Sequence, residues 1–300
     1  MTQHTNLISA LASGKTKELA KAITIVENDL DGHYDLLTQL KPNPNTQIIG
    51  ITGPPGAGKS TLVNALLQYW TDNKKRIAVL SVDPSSPFNY GALLGDRIRM
   101  SDFYLNENVF IRSLASRGSL GGLSAKIIEI TDVVRSANYD YILIETVGVG
   151  QSEVEVAGIA DTTIVAVVPE AGDEVQTMKS GVMEIADIFV VNKSDRPNAD
   201  EFVKNLKTLA HSKAADWETP VIKSVATTGE GINELAKEIE FHAKHIAGSK
   251  DKSFILLAEK AYQLIQHKRM MDINRKELLE QQIQEAKGPN FNLYEWAAKF

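Results

Sequence analysis

The sequence predicts an α/β fold with a mainly parallel central sheet flanked by helices, and helical extensions at both ends. Three observations carry this reading. Seven short apolar runs rich in β-branched residues occupy the middle of the chain: QIIGIT, RIAVLSV, VFIRSL, YILIET, TTIVAVV, IFVVN and PVIKSVA. Most are separated by enough chain for a crossover helix, as in βαβ units whose strands are buried on both faces. The two ends differ, with apolar residues at helical spacing only. The expected division is a helical segment over 1–46, a sheet-based domain over 47–247 and a helical arm over 248–300.

At the N-terminal end, Leu7, Leu11, Leu19, Ile23, Val26, Leu30, Leu36, Leu37 and Leu40 recur at helical intervals, with Gly14 and Gly32 as breaks. The prolines of KPNPN (Lys41 to Asn45) then stop the helices. QIIGIT follows as the first strand, and the amphipathic stretch containing Leu62, Val63, Leu66 and Leu67 as the first crossover helix. At the C-terminal end, Phe254, Leu257, Ala261, Leu264 and Ile265 form one helical stripe, and Leu278, Leu279 and Ile283 mark a second helix. His242 and His245 share a helix face but have no cysteine or further histidine near them, so a solvated helix end is expected rather than a metal pair. Trp70, Trp217 and Trp296 are expected to pack.

Composition narrows the function classes. The 300 residues carry 32 Lys+Arg against 38 Asp+Glu, a formal charge of −6, which argues against a nucleic-acid partner. The absence of cysteine excludes disulfides, thiolate metal sites and cysteine nucleophiles. No apolar run approaches the roughly 18–20 residues that would span a bilayer, so no membrane association is expected. The first residues read neither as a secretory signal nor as an arginine-rich presequence, since the first arginine is Arg76. The expected compartment is a bacterial or archaeal cytoplasm.

Chemistry enters with Gly53-Pro54-Pro55-Gly56-Ala57-Gly58-Lys59-Ser60-Thr61, between the first strand and the first crossover helix. This is the G-x-x-x-x-G-K-[ST] phosphate loop in its strand–loop–helix setting, so the fold class is that of the P-loop NTPases. Glycines let the backbone wrap a polyphosphate closely, and amides at the helix N-terminus face its oxygens. Lys59 supplies a point charge for the β and γ phosphates, and the Ser60 hydroxyl suits Mg²⁺. Asn192-Lys193-Ser194-Asp195 ends the strand IFVVN and names the base. Asp195 can accept from N1–H and the exocyclic amine of guanine, a pair that adenine lacks. Asn192 can bond base and loop, and the stem of Lys193 can cover a ring face. Ser224-Val225-Ala226 closes another strand, where a backbone N–H can meet guanine O6. The expected ligands are GTP and GDP. Asp83, Asp96 and Glu145 follow or end strands at the edge where ligands bind in such sheets, and are the magnesium candidates beside Ser60. Lys59, Glu145 and Asp83 are the catalytic candidates. Gly148 and Gly150 suit a γ-phosphate sensor. There is no evident general base; Gln151 lies in the same loop.

GPPGAGKST, SVDPSSPF, LLGDRIRM, ETVGVGQSEVEV, PEAGDEVQTMKSGVMEIAD and NKSD closely resemble the MeaB/ArgK (human MMAA) family. The likeness spans almost the whole chain. It implies a Mg²⁺-dependent GTPase acting as a chaperone of an adenosylcobalamin-dependent acyl-CoA mutase of the methylmalonyl-CoA mutase type, with the mutase and its adenosyltransferase as partners. It also implies a homodimer formed by the C-terminal helices, and a loop signalling to the mutase at Gly172 to Lys179. Position by position, it assigns Gly53 to Thr61, Asn192, Lys193, Asp195 and Ser224 to Ala226 to GTP, and Ser60, Asp83, Asp96 and Glu145 to magnesium and switching.

Two alternatives share the phosphate loop. A nickel-insertion GTPase should carry a Cys/His metal motif, and this chain has no cysteine. A transport-protein kinase has little need of the guanine reader N-K-S-D.

Overall fold

The computed structural model describes residues 5–83, 100–115, 126–146, 155–171, 182–210, 217–247, 250–270, 292 and 294–295. All seven expected runs form strands: β1 (Gln47–Thr52), β2 (Ile77–Asp83), β3 (Val109–Ala115), β4 (Tyr141–Thr146), β5 (Thr162–Val167), β6 (Ile188–Asn192) and β7 (Val221–Ser224). They make one sheet in the order β3-β2-β4-β1-β5-β6-β7, with every pairing parallel. β1 is central, so the loop that follows it emerges at the middle of the sheet's carboxyl edge.

Alternation along the strands divides the interior into layers, because successive side chains leave opposite faces. Ile49, Ile51, Ile77, Val79, Leu143, Ile164 and Val190 pack beneath α4 (Lys59–Asp72) and α8 (Ile232–Ala247). Ile48, Ala78, Leu80, Ile142 and Ile144 point the other way, against α5 (Ile127–Arg135) and the N-terminal helices α1 (Thr5–Ala12), α2 (Thr16–Glu27) and α3 (His33–Thr38). A third group, Val165, Val167, Phe189 and Val191, packs against α7 (Ala199–Ala210); a short helix, α6 (Val182–Ile185), precedes β6.

Gly14 and Gly32 both take positive φ, +72° and +81°, and break the N-terminal helices as expected. Leu7, Leu11, Leu19, Ile23, Val26 and Leu36 are buried, but Leu30 falls in the turn after α2 and is 47% exposed. Two compact units result, Met1–Ser253 and Phe254–Phe300. The helix α9 (Lys250–Arg269) carries the expected stripe, and its Leu257, Leu264 and Ile265 are exposed. Phe254's side chain, the second C-terminal helix and Trp296 lie outside the described residues. Among the described residues, no helix is long and apolar enough to cross a membrane.

A further expectation fails. His242 is not at a solvated helix end but fully buried, with Nδ1 2.9 Å from Thr162 Oγ1 and Nε2 3.3 Å from an Asp187 carboxylate oxygen. Trp217 meets its ring edge-on and donates through Nε1 to the Asp187 carbonyl. His245, one turn later, is exposed.

Trp70 closes the far end of α4 by stacking on Tyr141, with ring centroids 4.2 Å apart and planes 14° apart. Both rings are buried, and burial pushes the Tyr141 phenol up from its ordinary pKa. Trp70→Ala therefore leaves a large cavity against a fixed strand. It should lower the unfolding free energy in urea by about 3–5 kcal/mol.

Candidate nucleotide site

The phosphate loop lies over the carboxyl ends of β1 and β5. Gly53 has φ +137°, and a Cβ there would stand 2.0 Å from the Ala166 carbonyl oxygen of β5, so only glycine lets the loop lie this low. Gly58, in the left-handed region at φ +85°, begins α4; a Cβ on it would meet Asn192 Nδ2 at 2.4 Å. Pro55 and Gly56 face outward, whereas Ala57 is fully buried. Thr61 follows in the first turn of α4, half-buried.

Lys59 is 8% exposed. Its ammonium curls back over the loop and donates to the carbonyls of Gly53 at 2.7 Å and Pro54 at 3.1 Å. Beside it, Ser60 Oγ donates to Glu145 Oε1 at 2.6 Å. Glu145 is the penultimate residue of β4 and is buried, which joins the first turn of α4 to the neighbouring strand. The pair presents hard oxygen donors of the kind Mg²⁺ takes. Asp83 ends β2, level with Ala115 of β3, and its side chain lies outside the described residues. Asp96, Gly148, Gly150, Gln151 and the segment from Gly172 to Lys179 also lie outside them.

The turn at residues 192–195, expected to read the base, is joined to the phosphate loop through Asn192. Its Nδ2 donates to the Ala57 carbonyl at 2.9 Å, while its Oδ1 accepts from the Ala226 amide at 3.1 Å and from Ser224 Oγ at 3.3 Å. Lys193, with φ +57°, donates through Nζ to the Gly56 carbonyl at 2.8 Å. The Ser194 amide reaches the Ser224 carbonyl. Val225 is held by its amide's bond to the Glu230 carbonyl. Asp195 is exposed at the head of this cluster. The sequence segments around residues 53–61, 192–195 and 224–226 thus form one hydrogen-bonded rim, with Glu145 beside it.

Some neighbours were invisible in the sequence. Arg196 pairs with Glu170 at 2.5 Å, tying the base-reading turn to the turn after β5 and holding the Glu170 carboxyl below its usual range. Ser81 and Ser113 are buried, Ser81 as the register partner of Glu145 and Ser113 one strand further out. They belong to ordinary apolar runs, and only strand register places them there.

Comparison with known proteins agrees with this geometry. Residues 19–285 match the family described as "Methylmalonyl Co-A mutase-associated GTPase MeaB". A Pyrococcus horikoshii protein with a provisional GTPase designation is 45% identical over 249 residues, spanning 81% of this chain and 78% of its own length. The mouse protein named methylmalonic aciduria type A homolog, mitochondrial, is 38% identical over 253 residues, covering 76% of this chain and 60% of its own. A crystal structure described as a LAO/AO transport system kinase superposes with a TM-score of 0.73 at 26% identity, covering 100% of this chain and 97% of its own. A phosphate loop clasped by a guanine-type turn, within a family match of this extent, places the chain in the MeaB family of P-loop GTPases: it binds guanine nucleotide and hydrolyses GTP.

Proposed function

We propose that this GTPase is a cytoplasmic, magnesium-dependent chaperone of a cobalamin-dependent acyl-CoA mutase, protecting the mutase or gating the loading of its cofactor by the adenosyltransferase. Support for the partner comes from the family's description and from the mouse relative's name. The observation that carries the nucleotide reading is the Asn192 bridge between Ala57 and Ala226, which gives the phosphate loop and the base-reading turn one shared geometry.

In this reading Asp195 accepts two hydrogen bonds from guanine, and the amides near Ala226 face O6. Lys59 exchanges its Gly53 and Pro54 carbonyls for β- and γ-phosphate oxygens. Glycine-rich loop amides and the first turn of α4 orient the phosphates. Ser60 and Glu145, with Asp83 and Asp96, would hold Mg²⁺, which would supply neutralisation of developing charge on the transferred phosphoryl group. Catalysis rests on placement and charge rather than on covalent chemistry. The helical arm over 248–300 is read as the homodimer contact, since the exposed Leu257, Leu264 and Ile265 of α9 suit a self-complementary helical surface.

Calorimetry should give GTP and GDP an affinity at least about 10⁴-fold above ATP. Asp195→Asn should weaken guanine binding and admit xanthine nucleotides; equal affinity for ATP and GTP in the parent protein defeats the assignment. Lys59→Ala should abolish hydrolysis in a folded protein, and Glu145→Ala should raise the Mg²⁺ needed for half-maximal hydrolysis roughly tenfold. An unchanged magnesium dependence removes Glu145 from the metal. Light scattering of the full chain, alone and with a mutase from the same cell, checks the partner and the dimer together. A dimer that binds the mutase with nucleotide-dependent affinity is expected, and a monomer that ignores the mutase refutes both.

A further inference from the structure

At the phosphate edge of the sheet, Ser113 of β3, Ser81 of β2, Glu145 of β4 and Ile51 of β1 stand side by side as register partners. Register partners in a parallel sheet leave the same face. Here it is the face under α4, because Ile77 and Val79 on β2 and Tyr141 and Leu143 on β4 lie two and four residues earlier and belong to that core. Ser60 reaches down from α4 to Glu145 on this same face.

Ser81 and Ser113 are 2% and 7% exposed, and neither hydroxyl meets a hydrogen-bond partner among the described residues. A buried hydroxyl left so costs stability that alanine would not. Both stand in the row that ends at the carboxylate bonded to Ser60. Adjacent strands lie about 4.8 Å apart, so one water can link Ser113 to Ser81 and a second can link Ser81 to Glu145. Each such water has two of these three groups as partners, within the two to four that a buried water takes.

We propose that Ser81 and Ser113 form a buried water-binding site that positions Glu145 for the divalent cation, extending the metal's hydrogen-bond network two strands beyond β4. They are positioning residues: neither touches nucleotide or metal, and both act through Glu145. The inference rests on the reading of Ser60 and Glu145 as metal residues.

The test is Mn²⁺ binding to the GDP-loaded full chain, followed by electron paramagnetic resonance, beside thermal unfolding in EDTA. Ser81→Ala and Ser113→Ala should each weaken Mn²⁺ binding roughly tenfold, the scale seen when groups that orient metal ligands are lost. Their Tm in EDTA should be unchanged or raised. Glu145→Ala is the control. If it weakens Mn²⁺ binding while both serine variants bind as the parent does, the water site is refuted and the metal reading stands. If the serine variants instead lose several degrees of Tm in EDTA, the hydroxyls serve packing and the proposal falls. If Glu145→Ala leaves Mn²⁺ binding unchanged, the metal reading fails and takes this inference with it.

Discussion

The carboxamide of Asn192 is used from both ends, donating to the Ala57 carbonyl and accepting from the Ala226 amide and Ser224 hydroxyl. The residue is 2% exposed, so each of these bonds is made away from competing water and is costly to leave unmade. Reaching Ala57 is not trivial. β6 is separated from β1 by β5, and strands lie about 4.8 Å apart. The phosphate loop must therefore lean across the end of β5, which it does because Gly53 has no side chain to strike the Ala166 carbonyl. A larger residue at either Gly53 or Gly58 would lift the loop and draw Ala57 out of Asn192's reach. The turn at residues 192–195 and the phosphate loop are thus set against each other by one amide and two missing methyl groups.

The other face of the sheet has a different role. α1 to α3 bury Leu11, Leu19, Ile23, Val26 and Leu36 in the same core as Ala78, Leu80, Ile142 and Ile144, within the compact unit that holds the nucleotide site. Their polar edge is matched as well. Glu27 pairs with Arg112 of β3 at 2.6 Å, and Asp29 pairs with Lys126, just before α5, at 2.8 Å. Lys126 and Glu27 are largely buried, so these pairs specify a fit more than they add net stability. The N-terminal helices thereby hold β3 and the start of α5 in place, on either side of the segment between Ala115 and Lys126.

How much of this was legible follows from how local each signal is. A β-branched run, a glycine-rich loop and an N-K-x-D turn are each written in consecutive residues; all seven strands form, and the loop and the turn meet through hydrogen bonds. Ser81 and Ser113 lie within apolar runs, and what sets them in a row with Glu145 is register between segments 77–83, 109–115 and 141–146, which no spacing encodes. His242 was misread for a related reason. The charges on its helix suggested a solvated end, but Thr162 and Asp187, far away in sequence, close over the ring. Leu30 fits the helical period yet sits in a turn, because α2 ends at Glu27 and Asp29 takes φ +48°. Periodicity counts residues and cannot see where the backbone leaves its helix.

At Lys59 the bonds that order the loop are made by the same ammonium that the proposed phosphate contact would use. Its ammonium is almost fully buried and satisfied by two carbonyls of its own loop, so the loop holds its curl through the lysine itself. A phosphate that took the lysine would have to replace those bonds, and it would set a full negative charge against the ammonium where the carbonyls offer only dipoles. The carbonyls it leaves then need other donors. Asn192 and Lys193 still hold Ala57 and Gly56 in position during that exchange, because they grip the loop at carbonyls Lys59 does not use. Anchoring from β6 therefore separates the two tasks: the lysine can change partners without the loop losing its shape.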